Sequence, residues 1–229
     1  MKTVFLSRVL QPGMPLYGGR TENFQVAQQG DLNRGDSANS LRLNLINHVG
    51  THLDCPAHVH QGGRTLDDYP AEFFVFNRPA LLEIPLSVGR YITADDLALN
   101  RPTHGADLIL IRTGSTYGVD DYWRDNPGLD PSAAEFLKNL TPPPRAVGMD
   151  FISVNRWPDR NPGRAAHKIL LAEPEILIIE DMDLSPLVGL YGRLKRVIVA
   201  PMRVAGADGA PVTVLGELTE SGEENYDQA

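Results

Sequence analysis

Hydrophobic and polar positions alternate most cleanly over residues 40–48, SLRLNLINH. Leu41, Leu43 and Leu45 fall on one face of an extended segment, and Arg42, Asn44, Ile46 and His48 on the other. The pattern predicts a strand that delivers its even-numbered face to something polar. A partial alternation over KTVFLSRVL, residues 2–10, ends at Gln11-Pro12-Gly13 and predicts an edge strand. ALLEIPL (80–86), DLILIRT (107–113), RAVGMDF (145–151), EILIIED (175–181) and RVIVAP (196–201) are compact apolar runs of strand length, several bounded by Gly or Pro. Helices are signalled by their starts. Thr93 stands before Asp95 and Asp96 in ITADDLAL, an N-cap followed by acidic residues in the first turn. Asp130 and Pro131 open DPSAAEFLKNL as N-cap and N1. RAAHKILLA, 164–172, follows Gly163 and predicts a short helix; GADGAPVTVL predicts a turn feeding a last strand, and the polar tail after Leu218 a frayed end. Strands outnumber helices and the two are interspersed, without a repeat or a dividing linker, which predicts one α/β or α+β domain.

Composition narrows the function. The chain of 229 residues is 42% hydrophobic and 22% charged, an ordinary globular balance. Its formal charge is −8, with no cluster of Lys and Arg, which argues against nucleic acid or an anionic membrane as partner. No run approaches the length of a membrane span, and the N-terminal apolar run is too short for a signal peptide. Cys55 is the single cysteine, so no intrachain disulfide can form. A cytoplasmic protein is expected.

The chemistry is concentrated in NHVGTHLDCPAHVH, residues 47–60, which holds four of the six histidines. His48, His52, Asp54 and His58 follow one another at spacings of four, two and four residues. All are even, so an extended chain would project the four side chains from one face. Gly50 and Pro56 break any regular strand or helix, and a strand running into a tight loop is the better picture. Imidazoles with a carboxylate are ligands for zinc, manganese or iron. A lone histidine is usually an ordinary core or surface residue, but four with an aspartate at this spacing predict a metal site. One cysteine excludes a thiolate-rich structural site, and a His/Asp site with few protein ligands is typically open and catalytic. Cys55, at an odd position in the set, is expected to be a small buried residue. His60 is expected either to support a ligand or to be exposed, His104 to lie on the surface, and Asp67 and Asp68 to be solvated or capping.

The string His48-Val-Gly-Thr-His52-Leu-Asp54-Cys-Pro-Ala-His58 resembles the HxGTHxDxPxH motif of the cyclase family of metal-dependent hydrolases, which includes bacterial kynurenine formamidases and isatin hydrolases. SRVLQPGMPLYGG, ADLILIRTG, VGMDFISV, AHKILLAEPEILIIEDMDL and GADGAPV resemble further segments of that family. The resemblance implies a single α/β domain over 1–229, of swivelling β/β/α type, with mixed β-sheet and flanking helices. It implies that His48, His52 and Asp54 bind a divalent metal, Zn or Mn, that His58 is the proton shuttle, and that His167 and Glu180 complete a second metal position in two-ion members. Taken alone, His167 beside Ile169, Leu170 and Leu171 reads as a core histidine, and Glu180 at the end of ILII as a solvated strand end. Tyr17 stands where formamidases carry a tryptophan against the aromatic substrate, so a substrate-binding role is implied for it. The expected activity is hydrolysis of a small amide or lactam, such as an aryl formamide or a cyclic amide like isatin, by a metal-activated water. The alternatives are a lyase or cyclase on the same scaffold, or a catalytically silent metal-binding protein. A small-molecule substrate and a homodimer or larger homo-oligomer are also implied.

Overall fold

The structure is a computed structural model that describes residues 1–86, 89–100, 104–115, 122–190 and 192–219. The strands, in chain order, are β1 (Lys2–Phe5), β2 (Phe24–Gly30), β3 (Ser40–Leu45), β4 (His52–Asp54), β5 (Val75–Phe76), β6 (Pro79–Glu83), β7 (Tyr91–Ile92), β8 (Leu108–Arg112), β9 (Gly128–Leu129), β10 (Ala146–Met149), β11 (Leu177–Glu180), β12 (Leu194–Pro201) and β13 (Gly209–Leu218). The helices are α1 (Ala94–Leu99), α2 (Pro131–Lys138) and α3 (Asn161–Leu170).

Nine strands among the described residues form one mixed sheet, in the order β5-β12-β13-β4-β11-β10-β8-β6, with β1 also on β13. One half, β6-β8-β10-β11, is parallel. The other half is antiparallel, and β4 joins the halves by running antiparallel to both β11 and β13. β12 comes back against β6, so the sheet curls nearly into a barrel. The parallel strands are short continuous apolar runs, as expected for strands covered on both faces: Leu108 to Ile111, Ala146, Val147 and Leu177 to Ile179 are fully buried. Ala133, Ala134 and Leu137 of α2 and Ala166 and Leu170 of α3 share their core. The fold is the mixed α/β arrangement that the sequence predicts. Among the described residues no helix is long and apolar enough to cross a membrane.

Most predicted elements appear within a few residues of their expected ends. Thr93 and Asp96 form a capping box at α1, and the Asp130 carboxylate accepts from the Ser132 backbone N–H at α2. α3 begins three residues before the predicted start, because Pro162 occupies its first turn, where its missing N–H costs nothing. The greatest difference lies at residues 40–48. β3 ends at Leu45 and pairs only with β2, in a two-stranded ribbon outside the main sheet. Leu41 and Leu43 are 60% and 55% exposed, so their face does not enter the core. Alternation reports which residues share a face and not what covers it. The polar tail expected to fray after Leu218 falls, from residue 220 on, outside the described residues.

Candidate metal centre

The register of three strands builds the centre. On β4, His52 and Asp54 are two residues apart and therefore project from the same face. On β11, Glu180 stands directly opposite His52, a cross-strand pair on one face. β13 begins with Gly209 opposite Asp54, which puts Asp208 at the rim. His167 reaches the same point from α3. The His52 Nε2 atom lies 3.5 Å from Asp54 Oδ1 and 3.5 Å from Glu180 Oε2. His167 Nε2 lies 3.6 Å from Asp54 Oδ2 and 3.2 Å from Glu180 Oε1. These four separations lie at or beyond the long end of an N–H···O hydrogen bond. They suit ligand atoms gathered around a cation: His52, Asp54 and Glu180 offer three such atoms within 4.8 Å of one another, as do His48, Asp54 and His58. The other nitrogens are fixed: His52 Nδ1 donates to the Gly50 carbonyl at 2.8 Å and His167 Nδ1 to the Gly163 carbonyl at 3.0 Å. Both rings thus present Nε2, as a metal-binding imidazole requires. The donor set fits a divalent cation.

The electrostatics agree with that fit. All four side chains are buried. Burial opposes the charged form of every one, but mutual attraction outweighs it. The facing Glu180 and Asp54 carboxylates raise His52 to about 9, and Asp54 and Glu180 raise His167 to about 10. The His167 and His52 imidazoles draw Glu180 down to about 2, and Asp54 is held well below the usual carboxylate range by His167 and His48. Two buried carboxylates therefore demand positive charge between them, from imidazolium protons or from a cation. Glu180 Oε1 also accepts from the Val154 backbone N–H at 2.7 Å and the Ser153 hydroxyl at 3.2 Å, which fixes its rotamer.

His48 stands differently. Its Nδ1 is 2.8 Å from Asp54 Oδ1 and its Nε2 is 3.0 Å from Asp208 Oδ2. With Nε2–H kept on Asp208, Nδ1 is free to serve a cation beside Asp54. The ring lies close to the chain at Gly209, where a Cβ would stand 2.5 Å from the Leu53 carbonyl oxygen and 2.7 Å from His48 Cε1, so only glycine fits. His48 is not on a strand. The chain turns between β3 and β4 at Gly50, whose φ of 58° is the left-handed region that glycine enters without strain. A Cβ there would also meet Leu10 at 2.4 Å. His58 comes from the 3-10 turn Pro56–His58, and its Nδ1 lies 3.0 Å from the same Asp208 Oδ2. The even spacing therefore places only His52 and Asp54 by strand geometry; His48 and His58 arrive by turns.

His48, His52, Asp54, His58, His167, Glu180 and Tyr17 all line one cavity of about 270 Å³. Every side chain singled out for the site is therefore at one place. Asp208 was not foreseen. It accepts from His48, His58 and the Asn47 side-chain amide, and those contacts outweigh burial and hold it at about 2. Its sequence signals are an aspartate before a glycine in the GADG turn, which ordinary turns share, and the likeness of GADGAPV to a family segment, which assigns it no role. Asp181 was also missed. It is buried at φ 55°, accepts from Arg8 Nε at 3.0 Å and the Tyr122 hydroxyl at 2.5 Å, and turns the chain immediately after Glu180. Burial raises its carboxyl to about 6 in spite of Arg8. Cys55 is buried, and burial pushes its thiol up. His60 Nε2 donates to the Lys168 carbonyl at 3.0 Å, tying its loop to α3. His104 is exposed in a turn. Asp68 caps the turn Leu66–Asp68 through the Thr65 N–H, and Asp67 accepts from the Gly206 N–H.

The fold and this buried set of imidazoles and carboxylates define a candidate cation site at the junction of a mixed sheet. The chain belongs to the cyclase family, whose model, described as "Putative cyclase", matches residues 4–156. A kynurenine formamidase of Maricaulis maris is 28% identical over 214 residues, covering 93% of this chain and 97% of that protein. Isatin hydrolase A of Labrenzia aggregata has the same fold, with a TM-score of 0.79 at 22% identity over 96% of this chain and 94% of that one. A structure described as a potential metal-dependent hydrolase with cyclase activity superposes with a TM-score of 0.72 at 25% identity, over 96% of this chain and 98% of that one.

Proposed function

We propose that this chain is a metal-dependent hydrolase of a small amide or lactam, with an aryl formamide or an isatin-like cyclic amide as the substrate type. The observation that carries the reading is the convergence of His52, Asp54, His167 and Glu180 at nitrogen–oxygen separations of 3.2–3.6 Å, with His48 and His58 beside them. The similarity to a kynurenine formamidase over nearly the whole chain supports the amide chemistry. His48, His52 and Asp54 would hold one Zn or Mn ion, and His167 and Glu180, with Asp54, a second. A divalent ion so held supplies Lewis acidity and brings the pKa of water toward neutrality.

The chain's own residues do the rest. Asp208 accepts from His58 Nδ1, which leaves Nε2 as the basic nitrogen. His58 takes the proton from water during attack and returns it to the leaving nitrogen, which departs poorly without one. Tyr17 offers a ring to a planar substrate. Assembly as a homodimer or larger and residence in the cytoplasm, where buried Cys55 stays reduced, belong to the same proposal. The test measures metal content by elemental analysis and assays formylkynurenine, isatin and simple lactams with Zn or Mn supplied. Hydrolysis of at least one is expected, with His58→Ala reducing turnover by about 10²–10⁴-fold. A His58→Ala variant as active as the parent removes His58 from the mechanism.

A further inference from the structure

The backbone ladder between β4 and β11 ends at Glu180 opposite His52, the pair that carries two of the proposed ligands. The last pair of an element is the one most open to fraying, yet a cation site needs its donors held still. Beyond this pair, side chains lace the two strands. The Thr51 carbonyl accepts from the Val212 N–H of β13 at 2.9 Å. The Thr51 hydroxyl reaches the other way and donates to the Asp181 carbonyl at 2.6 Å. The same hydroxyl oxygen accepts from the Arg8 backbone N–H at 2.9 Å. Arg8 Nε in turn donates to Asp181 Oδ1 at 3.0 Å, and the Tyr122 hydroxyl donates to that oxygen too. Arg8, Thr51 and Asp181 thus close a ring of contacts one residue beyond His52 and Glu180, anchored on the N-terminal segment.

Two features of this ring are poorly explained by stability alone. Asp181 has a φ of 55° and is the one described residue other than glycine with a positive φ. A side chain is strained in that region where glycine is not. The Arg8 and Asp181 side chains are also buried, with 10% and 2% of their surfaces exposed. A buried ion pair is often no more stabilising than apolar side chains of the same size, because desolvation offsets the attraction. Strained conformations persist where the surrounding structure holds them, and they cluster at functional sites. Asp181 belongs to neither set of atoms that could gather around a cation, but it follows Glu180 directly and is tied to the residue before His52.

We propose that Asp181 and Arg8 are positioning residues for the cation site: their ion pair fixes the turn after Glu180 and, through Thr51, the chain entering His52, so that both ligands are held in place before a cation arrives. The proposal rests on the cation reading of the site and not on hydrolysis. Three proteins are compared: the parent, Asp181→Asn, and the double variant Arg8→Met with Asp181→Asn. Asparagine keeps the shape and tolerates the left-handed region, and the double variant leaves no buried charge unpaired. Each is measured without metal, by thermal scan and by amide hydrogen exchange, and then for zinc affinity against a competing chelator.

The metal-free double variant is expected to melt within a few degrees of the parent, and to exchange faster in the peptides that carry β4 and the end of β11 than elsewhere. It is expected to bind zinc about 10–100-fold more weakly, as loss of a supporting contact does at metal sites. Asp181→Asn alone is expected to bind more weakly still, since Arg8 then adds uncompensated positive charge nearby. Parental zinc affinity in the double variant overturns the proposal; if Asp181→Asn alone is weak, the effect is then one of charge and not of position. Exchange that quickens evenly along the chain, or a double variant that does not fold without zinc, assigns the pair to the fold and overturns it as well. A parent that binds no zinc removes the cation reading and this proposal with it. Zinc affinity that depends on the pair, in a protein that hydrolyses none of the amides tried, leaves the positioning role standing and removes the hydrolase reading.

Discussion

Asp208 is the residue on which two histidines of different expected roles depend. One carboxylate oxygen accepts from both His48 and His58, so a single side chain orients the imidazole proposed to bind metal and the one proposed to carry the proton. Asp208→Asn keeps the shape but offers only one acceptor and no charge. It is expected to weaken metal affinity or activity by about 10–100-fold, read by titration against a competing chelator and by turnover. Unchanged affinity and turnover would show that neither ring needs the carboxylate. The sequence reveals residue types well and orientation poorly. His48, His52, Asp54 and His58 stand out because imidazoles with a carboxylate are rarely crowded without a cation. Asp208 does not stand out, because its importance comes from a register between β4 and β13 across more than 150 residues of chain.

At the scale of elements, starts and stops are legible because they are local chemistry. Thr93 and Asp96 close a capping box at α1, and Asp96 also holds Arg90 through two hydrogen bonds of 2.7 Å. The Arg90 hydrogen bond is the main cause of the Asp96 carboxyl lying near 2. Asp96→Ala removes the cap and a solvent-screened ion pair, which together contribute about 1 kcal/mol. A fall in Tm of roughly 2–4 °C at neutral pH is expected for a chain of this size. The folded pKa is depressed, so this contribution is present above about 4, the ordinary carboxylate value, and is lost as pH falls through about 2. Thermal scans of parent and variant should therefore converge on acidification; a difference that persisted at pH 2 would assign the effect to packing.

The β2–β3 ribbon shows the limit of such local reading. Its alternation is strong, yet Leu41 and Leu43 face outward, and two strands alone make a marginal unit in water. Contiguous exposed leucines commonly mark a contact surface. The protein is expected to elute as a dimer or larger by size exclusion with light scattering, and Leu43→Asp to shift it toward monomer. A monomeric parent removes the oligomer from the proposal.

For the whole molecule, the acidic centre lies buried where the parallel and antiparallel halves of the sheet meet. A cation there binds the folded chain and not the unfolded one. At a thousand times its Kd it adds about 4 kcal/mol, which corresponds to a rise in Tm of roughly 8–16 °C. Thermal scans with a chelator, then with zinc or manganese restored, measure this; identical Tm values in all three would sink the metal reading. By itself the sequence determined the elements, their caps and the ligand types, since each is set by chemistry within a few residues. Its residue types and spacing marked His48, His52, Asp54 and His58, whereas His167, Glu180 and Tyr17 were assigned through family likeness. Tertiary structure alone decided that Glu180 faces His52, that His167 closes the set from α3, that Asp208 joins two histidines, and that Arg160 rests on Trp157. Those are relations between distant segments, and they exist only once the sheet has chosen its strand order and register.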